Sequence, residues 1–344
     1  MKVKLIETIE EMRLFSKELK AKNMSIGYVP TMGALHEGHV SLMKAAVEQN
    51  DVAVMTIFVN PIQFGPNEDY DKYPRTLEAD LEKAEKAGIS AVFFPSPNEL
   101  TANLYSYVDI NSLQDNLCGA KRPGHFRGVC TIVSKFFNII KPDNAYFGKK
   151  DIQQLYIIKQ MVKDLNFDVN IVPCEIVRES DGLAMSSRNR YLSAEERKDA
   201  LVLSKSIKKA IDLQQQGEKS AQVIINCIQE EVSKVSSAKI DYISIVNEQM
   251  QDVDVVEDKN ILALAIYIGK TRLIDNHIIG TGTVFLQDLP RFGFFFADAV
   301  VDVQNVLLRL HCLKLLIVLH IHPPSGEFIV NSRVYFFASL QRSL

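Results

Sequence analysis

Ser25-Ile26-Gly27-Tyr28-Val29-Pro30-Thr31-Met32-Gly33-Ala34-Leu35-His36-Glu37-Gly38-His39-Val40 is the stretch whose pattern decides the fold. Residues 25–29 are short and apolar enough for a buried strand, and across residues 36–50 Val40, Met43, Ala46 and Val47 recur at helical spacing. A strand, a glycine-containing loop and a helix start therefore follow one another. Such a helix start offers an anion unpaired backbone N–H groups and the positive end of the helix dipole. His36 and His39 are three residues apart and share one helix face. Two imidazoles there can donate hydrogen bonds to a phosphate whose charge grows during reaction, and Gly38 lets a ribose or base approach the backbone. Taken singly, these residues also fit a solvated cap and a plain connecting loop. It is the His-x-Gly-His pattern behind a strand that raises the functional reading.

That pattern resembles the "HIGH" signature of the nucleotidyltransferases related to class I aminoacyl-tRNA synthetases. Outward from it, strands and helices alternate as in a parallel sheet covered on both faces. After a first amphipathic helix at residues 9–20, residues 51–59, 91–95, 145–147 and 168–172 read as strands, the last unit running on to Val177. Residues 75–87, 130–140 and 152–165 read as helices, the first of them stopped by Gly88. The fold class is α/β: a Rossmann-like parallel sheet with helices on both faces over residues 1–177, plus a smaller C-terminal α+β domain over residues 178–279. The smaller domain is expected to hold helices at 194–215 and 220–235 and strands at 239–246 and 261–268.

Composition narrows the function classes. The 344 residues suffice for two domains, and a net charge of −3 with no basic block gives nucleic acid no footprint. Five cysteines, Cys118, Cys130, Cys174, Cys227 and Cys312, form no Cys-x-x-Cys pair and fit reduced thiols of a cytoplasmic protein. The amino terminus has no apolar signal-peptide core, so secretion and membrane association are not expected.

Ligands of such sheets bind beyond the carboxyl ends of the strands, so the loops there hold the candidate site. Asn60-Pro61-Ile62-Gln63 offers neutral amides for a hydroxyl or carboxylate, or is only a proline turn. Residues 121–128, Lys-Arg-Pro-Gly-His-Phe-Arg-Gly, suit either a mobile flap over an anion or a solvated basic turn. Gly148-Lys149-Lys150-Asp151 supplies a cation for phosphate and a carboxylate that caps a helix or binds a ribose hydroxyl, with Gln154 one turn on. Met185-Ser186-Ser187-Arg188 sets two hydroxyls before a fixed cation, a cradle for β and γ phosphates or else a serine-rich linker.

Taken in order, PTMGALHEGHVSL, FVNPIQFGPNEDYDKYPRT, RPGHFRGVCTIV, YFGKKDIQQ and RESDGLAMSSRNRYLS closely resemble the pantoate–β-alanine ligase family, over roughly residues 1–279. Residues 265–276, AIYIGKTRLIDN, look like that family's terminal strand. The resemblance implies ATP-dependent condensation of (R)-pantoate with β-alanine through a pantoyl adenylate, releasing AMP and pyrophosphate. It implies that Met32, Gly33, Ala34, Leu35, His36, Glu37, Gly38 and His39 contact ATP, with His39 the catalytic proton donor and His36 its phosphate-binding companion. Gly148, Lys149, Lys150 and Asp151 would hold the nucleotide, Lys150 on phosphate and Asp151 on ribose. Val177 would meet adenine through its backbone, and Met185, Ser186, Ser187 and Arg188 would form the counterpart of the mobile "KMSKS" loop. Gln63 would bind pantoate and β-alanine with Asn60 nearby, Gln154 would bind pantoate, and Arg127 would close over phosphates. Magnesium is implied as the partner of ATP, with no carboxylate cluster to identify its ligands, and the family's habit implies a homodimer, with which the apolar strand at 52–59 is compatible.

Two other readings stand beside it. A nucleotidyltransferase that stops at the nucleotide adduct would have less use for the neutral amides Gln63 and Gln154, and a binding protein without catalysis would have no need of His39, Lys150 and the Ser186-Ser187-Arg188 set. Residues 280–344 have no counterpart in the resemblance and turn abruptly apolar and aromatic. The run at 307–321 is interrupted by Arg309, His311 and Lys314 and is too short to span a bilayer; His311, His320 and His322 read as packing rather than metal ligands.

Overall fold

The computed structural model describes residues 2–66 and 68–280. Six parallel strands, β1 (Lys4–Ile6), β2 (Ile26–Thr31), β3 (Val52–Ile57), β4 (Ala91–Phe93), β5 (Asn144–Gly148) and β6 (Asn170–Cys174), lie in the order β1-β4-β3-β2-β5-β6. The intervening helices are α1 (Ile9–Ala21), α2 (Glu37–Gln49), α3 (Leu77–Ala87), α4 (Pro97–Thr101), α5 (Leu117–Lys121), α6 (His125–Ile140) and α7 (Ile152–Asp164). Alternation along the strands builds a core on each face. Tyr28, Val54 and Phe93 pack with α1, α6 and α7, while Val29, Met55 and Val92 pack with α2 and α3. Gly27 is needed for the close approach of β2 to α2: a Cβ there would lie 2.5 Å from Asn50 Nδ2 and 3.1 Å from the Ala46 carbonyl.

The chain leaves β2 for β3 on one side of the sheet and returns as β5 on the other side of β2. That reversal makes the carboxyl ends of β2 and β5 the topological switch point, where an α/β sheet opens a crevice. The two ends carry Thr31-Met32-Gly33 and Gly148-Lys149-Lys150.

A three-stranded antiparallel sheet follows, β7 (Ala238–Val246), β8 (Asn260–Ile268) and β9 (Thr271–Ile279), preceded by α8 (Ala194–Asp199), α9 (Val202–Gln215) and α10 (Ala221–Ser233). Leu203, Ile207, Ile224 and Ile228 of the helices bury one face of it with Leu262, Leu264 and Ile266. From the other side Val246, Ile261 and Ala263 join the core beneath α6 and α7.

Several boundaries differ from the sequence expectation. The helix expected over residues 194–215 is two, because the chain turns at Ala200-Leu201, where Ala200 is fully buried. Residues 265–276 are not one strand but the end of β8, a turn at Gly269 (φ +56°) and β9. The strand expected to reach Val177 ends at Cys174; beyond it Arg178 bridges Ala184 across a turn at Gly182. Most of the segment expected as a flap is helical: Lys121 closes α5 and His125 opens α6, leaving only Arg122-Pro123-Gly124 between. Strand β3 runs between β2 and β4 with all six residues buried, so it offers no surface to a second subunit. The apolar tail, with its three histidines, lies outside the described residues; among those described, no helix is long and apolar enough to cross a membrane.

Candidate active site

At the switch point the β2–α2 loop is shaped from below by a residue the sequence reading passed over. Asp80, on the apolar stripe of α3 with Leu77, Leu81 and Ala84, is 1% exposed and accepts hydrogen bonds from Ala34 N (2.9 Å), Leu35 N (2.8 Å) and Thr76 Oγ1 (3.0 Å). A carboxylate so placed holds the loop in its left-handed step at Gly33 and Ala34 (φ +82° and +51°). It also engages two backbone N–H groups of the loop just before the helix start. Gly33, Ala34, Leu35 and Glu37 do not line the cleft, whereas Met32, His36, Gly38 and His39 do.

His36 caps α2. Its Nδ1 accepts from Gly38 N (3.1 Å), and His39 Nδ1 accepts in return from His36 N (3.3 Å). An imidazole nitrogen that accepts carries no proton, so each neutral ring keeps its hydrogen on Nε2. Burial and then the Lys150 charge push His36 down to about 4; burial, His36 and Lys150 together hold His39 well below the usual imidazole value. Both rings are neutral at pH 7, 4.1 Å apart between centroids, with an Nε2–H donor each. Gly38 serves a closer neighbour than a ribose: a Cβ there would lie 2.9 Å from the His36 ring and 3.9 Å from Met185 Cβ.

The β3 end supplies Asn60 and Gln63. Asn60, 2% exposed, donates from Nδ2 to Gln63 Oε1 (2.9 Å) and to the Gly128 carbonyl (3.1 Å), and accepts from Ile62 N. Asn60 lines the cleft, and its contact holds the Gln63 amide, whose Nε2 faces Met32 Sδ at 3.2 Å. Gly128 lets α6 press on this turn, since a Cβ would stand 2.3 Å from the Ile62 carbonyl oxygen.

At the β5 end, Lys150, Asp151 and Gln154 line the cleft and Lys149 does not, its ammonium being paired with Glu175. Asp151 makes no capping hydrogen bond to α7, so capping does not account for it, and its carboxylate stands 3.8 Å from Lys150 Nζ. Val177 lines the wall, its carbonyl taken by Met185 N (3.0 Å). Ser187 is buried and donates to the Ala34 carbonyl (3.0 Å), tying the Met185–Arg188 loop, the second loop to bring a cation to the cleft, to the β2–α2 loop. Ser186 accepts from Arg188 N (3.3 Å), and Arg188 is held by Asp69 through two contacts of 2.9 Å.

Arg122 lines the same cleft, gripped by Glu68 (2.6 and 2.5 Å) and against His125 Nε2 (3.1 Å). His125 donates from Nδ1 to the Gln63 carbonyl (2.9 Å), and burial beside Arg122 pushes it down to about 4. Arg127, expected over the phosphates, lies instead on the Tyr107 ring at 5.1 Å and does not line the cleft. The missed residues were Asp80, Asp69, Glu68, Tyr73, which lines the cleft with its ring 6.0 Å from the Arg188 guanidinium, and Asn276, whose amide donates to the Lys149 and Lys150 carbonyls. Only Asp80 left a trace in the sequence, as a charge on an otherwise apolar helical stripe.

The cleft has a cavity volume of about 250 Å³ and opens to solvent at its mouth. Its wall combines neutral imidazole donors at a helix start, a lysine, two arginines and a pair of primary amides. A doubly wound sheet with such a cation- and donor-lined crevice defines a nucleotide-binding enzyme that activates a small acid. A family model described as pantoate-beta-alanine ligase matches residues 4–278, and the chain belongs to that family.

The pantothenate synthetase of Clostridium botulinum (strain ATCC 19397 / Type A) is 53% identical over 274 residues, 79% of this chain and 98% of that one. The pantothenate synthetase of Caldicellulosiruptor bescii is 52% identical over 277 residues, 80% and 98% of the two chains. Among solved structures, pantothenate synthetase from Thermus thermophilus superposes with a TM-score of 0.77 at 37% identity, covering 81% of this chain and 100% of that one. Pantoate-beta-alanine ligase from Francisella tularensis, solved with beta-gamma ATP and beta-alanine, gives 0.67 at 35% identity, with coverages of 80% and 97%. The activity that membership assigns is ATP-dependent condensation of (R)-pantoate with β-alanine to pantothenate, with release of AMP and pyrophosphate.

Proposed function

We propose that this cleft carries out both half-reactions, with ATP, pantoate and β-alanine held by the residues that line it. In the first step a pantoate carboxylate oxygen attacks the α-phosphorus of ATP; the bond from that phosphorus to the bridging oxygen breaks and pyrophosphate leaves. In the second, the β-alanine nitrogen attacks the acyl carbon, the bond from that carbon to the AMP oxygen breaks, and the nitrogen gives up a proton. A carboxylate is a poor electrophile until one oxygen belongs to a good leaving group, which the adenylate supplies. Positioning and charge stabilisation dominate such a transfer.

The observation that carries the reading is the pair of Nε2–H donors left by the His36–His39 capping box at the switch point, in the cleft that Lys150 also lines. Held neutral, His36 and His39 stabilise the phosphate as hydrogen-bond donors, and His39 does so without giving up its proton. Lys150 adds a point charge, Asp151 would meet a ribose hydroxyl, and Val177 would meet adenine through its backbone. Gln63 and Gln154 suit the hydroxyls and carboxylate of pantoate and the carboxylate of β-alanine, recognising them without adding charge. Residues 1–177 bind the substrates, and the segment 178–279 carries Met185, Ser186, Ser187 and Arg188 over them, keeping water from the mixed anhydride. Among the described residues no three His, Cys, Asp or Glu side chains group as a metal site. Magnesium would enter as part of the Mg–ATP substrate, held mainly by its phosphates.

We place the enzyme in the cytoplasm and take it to act as a homodimer, which its solution mass by light scattering checks. The decisive assay adds ATP and magnesium to the purified chain with pantoate, then with pantoate and β-alanine. AMP and pantothenate formed in equal amounts only when both acids are present support the reading. ATP binding without turnover would overturn it in favour of a binding protein.

A further inference from the structure

The turn that presents Lys150 is not held by its own helix. Residues Lys149–Asp151 form a short 3₁₀ turn that neither Gly148 nor Asp151 caps with a side chain. The support comes from the other sheet. Asn276 on β9, 3% exposed and paired in register with Ala263, donates from Nδ2 to the Lys149 carbonyl (3.0 Å) and to the Lys150 carbonyl (2.7 Å). A primary amide has two N–H hydrogens, and both are spent on this one turn.

Its neighbour reaches the second cationic loop. Asp275, 2% exposed, receives Arg178 Nη1 and Nη2 at 2.7 and 2.9 Å, and Arg178 Nη1 also donates to the Gly182 carbonyl (3.0 Å), at the turn that leads into Met185. Asp275 Oδ1 in turn accepts from Asn276 N at 2.8 Å. Successive strand residues leave the backbone on opposite sides, so two adjacent positions can serve two different loops. The separation between Lys150 and the Ser186-Ser187-Arg188 set is thereby referred to one rigid strand.

We propose that Asn276 is a positioning residue for the adenylation half-reaction, holding the Lys150 turn at the distance from the Arg188 loop that one triphosphate requires. This rests on the roles proposed above for Lys150 and Arg188. Asn276 touches neither substrate, and β-alanine capture does not depend on it.

The test compares the wild type with Asn276→Asp, nearly isosteric but turning an acceptor toward two carbonyls, and Asn276→Ser, which keeps one donor. Two readouts are taken: pantoate-dependent ATP–pyrophosphate exchange, and single-turnover aminolysis of preformed pantoyl adenylate by β-alanine. Misplacement by about 1 Å costs up to ~100-fold in rate. The expected result is exchange reduced about 10- to 100-fold in Asn276→Asp and less in Asn276→Ser, with the KM for β-alanine unchanged. In a Lys150→Ala background, loss of the Asn276 donor is expected to cost little more, since the two act as a unit. Equal losses in both half-reactions, or full additivity with Lys150→Ala, would overturn the proposal and leave Asn276 a residue of general stability. Wild-type protein that lacks pantoate-dependent exchange would instead overturn the functional reading beneath it.

Discussion

Substituting Gly128 with alanine adds a single methyl group where α6 presses on the Asn60–Gln63 turn. Its Cβ would stand 2.3 Å from the Ile62 carbonyl oxygen, 2.6 Å from the Ile62 carbonyl carbon and 2.8 Å from Gln63 Cα. An ordinary C···O contact is about 3.3 Å, so the turn must retreat by roughly 1 Å. All three obstacles are backbone atoms, which cannot swing aside as the tip of a side chain does. The retreat stretches the Asn60 Nδ2 to Gly128 carbonyl bond from 3.1 Å and carries Gln63 with it. Overpacking of this kind costs about 1–3 kcal/mol of stability. The greater effect falls on function: an amide displaced by that much loses its geometry toward pantoate, for a fall in kcat/KM of up to ~100-fold. Steady-state kinetics varying pantoate at saturating ATP, beside a thermal melt, measures both. The KM for ATP is expected to move little, since Lys150, His36 and His39 stand on other elements. A variant within twofold of wild type in kcat/KM for pantoate would refute the assignment of Gln63 to that substrate, whatever the melt shows.

Other outcomes follow from the same geometry. Lys150→Ala is expected to lower kcat by 10-fold or more, whereas Lys149→Ala, which does not line the cleft and whose ammonium is paired with Glu175, stays within about twofold of wild type by the same assay. Asp69→Asn removes the carboxylate that grips Arg188, so ATP, measured by calorimetry, should bind several-fold more tightly; weaker binding would show that the pair builds the site rather than competing with phosphate. His125 is lowered to about 4 in the folded protein from an ordinary 6.5, so the unfolded chain binds the extra proton first. Its stabilising contribution is complete above pH 6.5 and is lost as pH falls toward 4, by about 1–2 kcal/mol between pH 7 and 5. Urea midpoints should therefore drop over that range, with a shallower slope in His125→Asn.

What the sequence showed and what it hid divide along a physical line. Strand–loop–helix alternation, the His36–His39 spacing and the glycine stops are local, and local patterns express backbone preference directly. The parallel sheet, its switch point and the placement of Gln63, Lys150, Gln154 and Arg188 around one cleft were legible for that reason. Long-range partners were not. Nothing in His36-Glu37-Gly38-His39 announces that Asp80 takes the Ala34 and Leu35 N–H groups and so removes them from the donors of the loop. Similarly, a basic stretch such as Lys121-Arg122-Pro123-Gly124-His125 reads as a mobile flap until Glu68 and the Gln63 carbonyl are seen to hold Arg122 and His125 in place. Each hidden partner is a buried acceptor that removes a donor from the available set. Composition lists the donors of a phosphate site; only the fold says which of them remain free. In this cleft the two Nε2–H groups and the Gln154 amide stay open, Lys150 has Asp151 3.8 Å away and the Gln63 amide is held by Asn60 and Met32, while Arg188 and Arg122 are each occupied by a carboxylate of the adjacent pair Glu68-Asp69. A triphosphate that recruits both arginines must displace two neighbouring acids at once, which makes the strength of nucleotide binding depend on a segment that contributes no donor of its own.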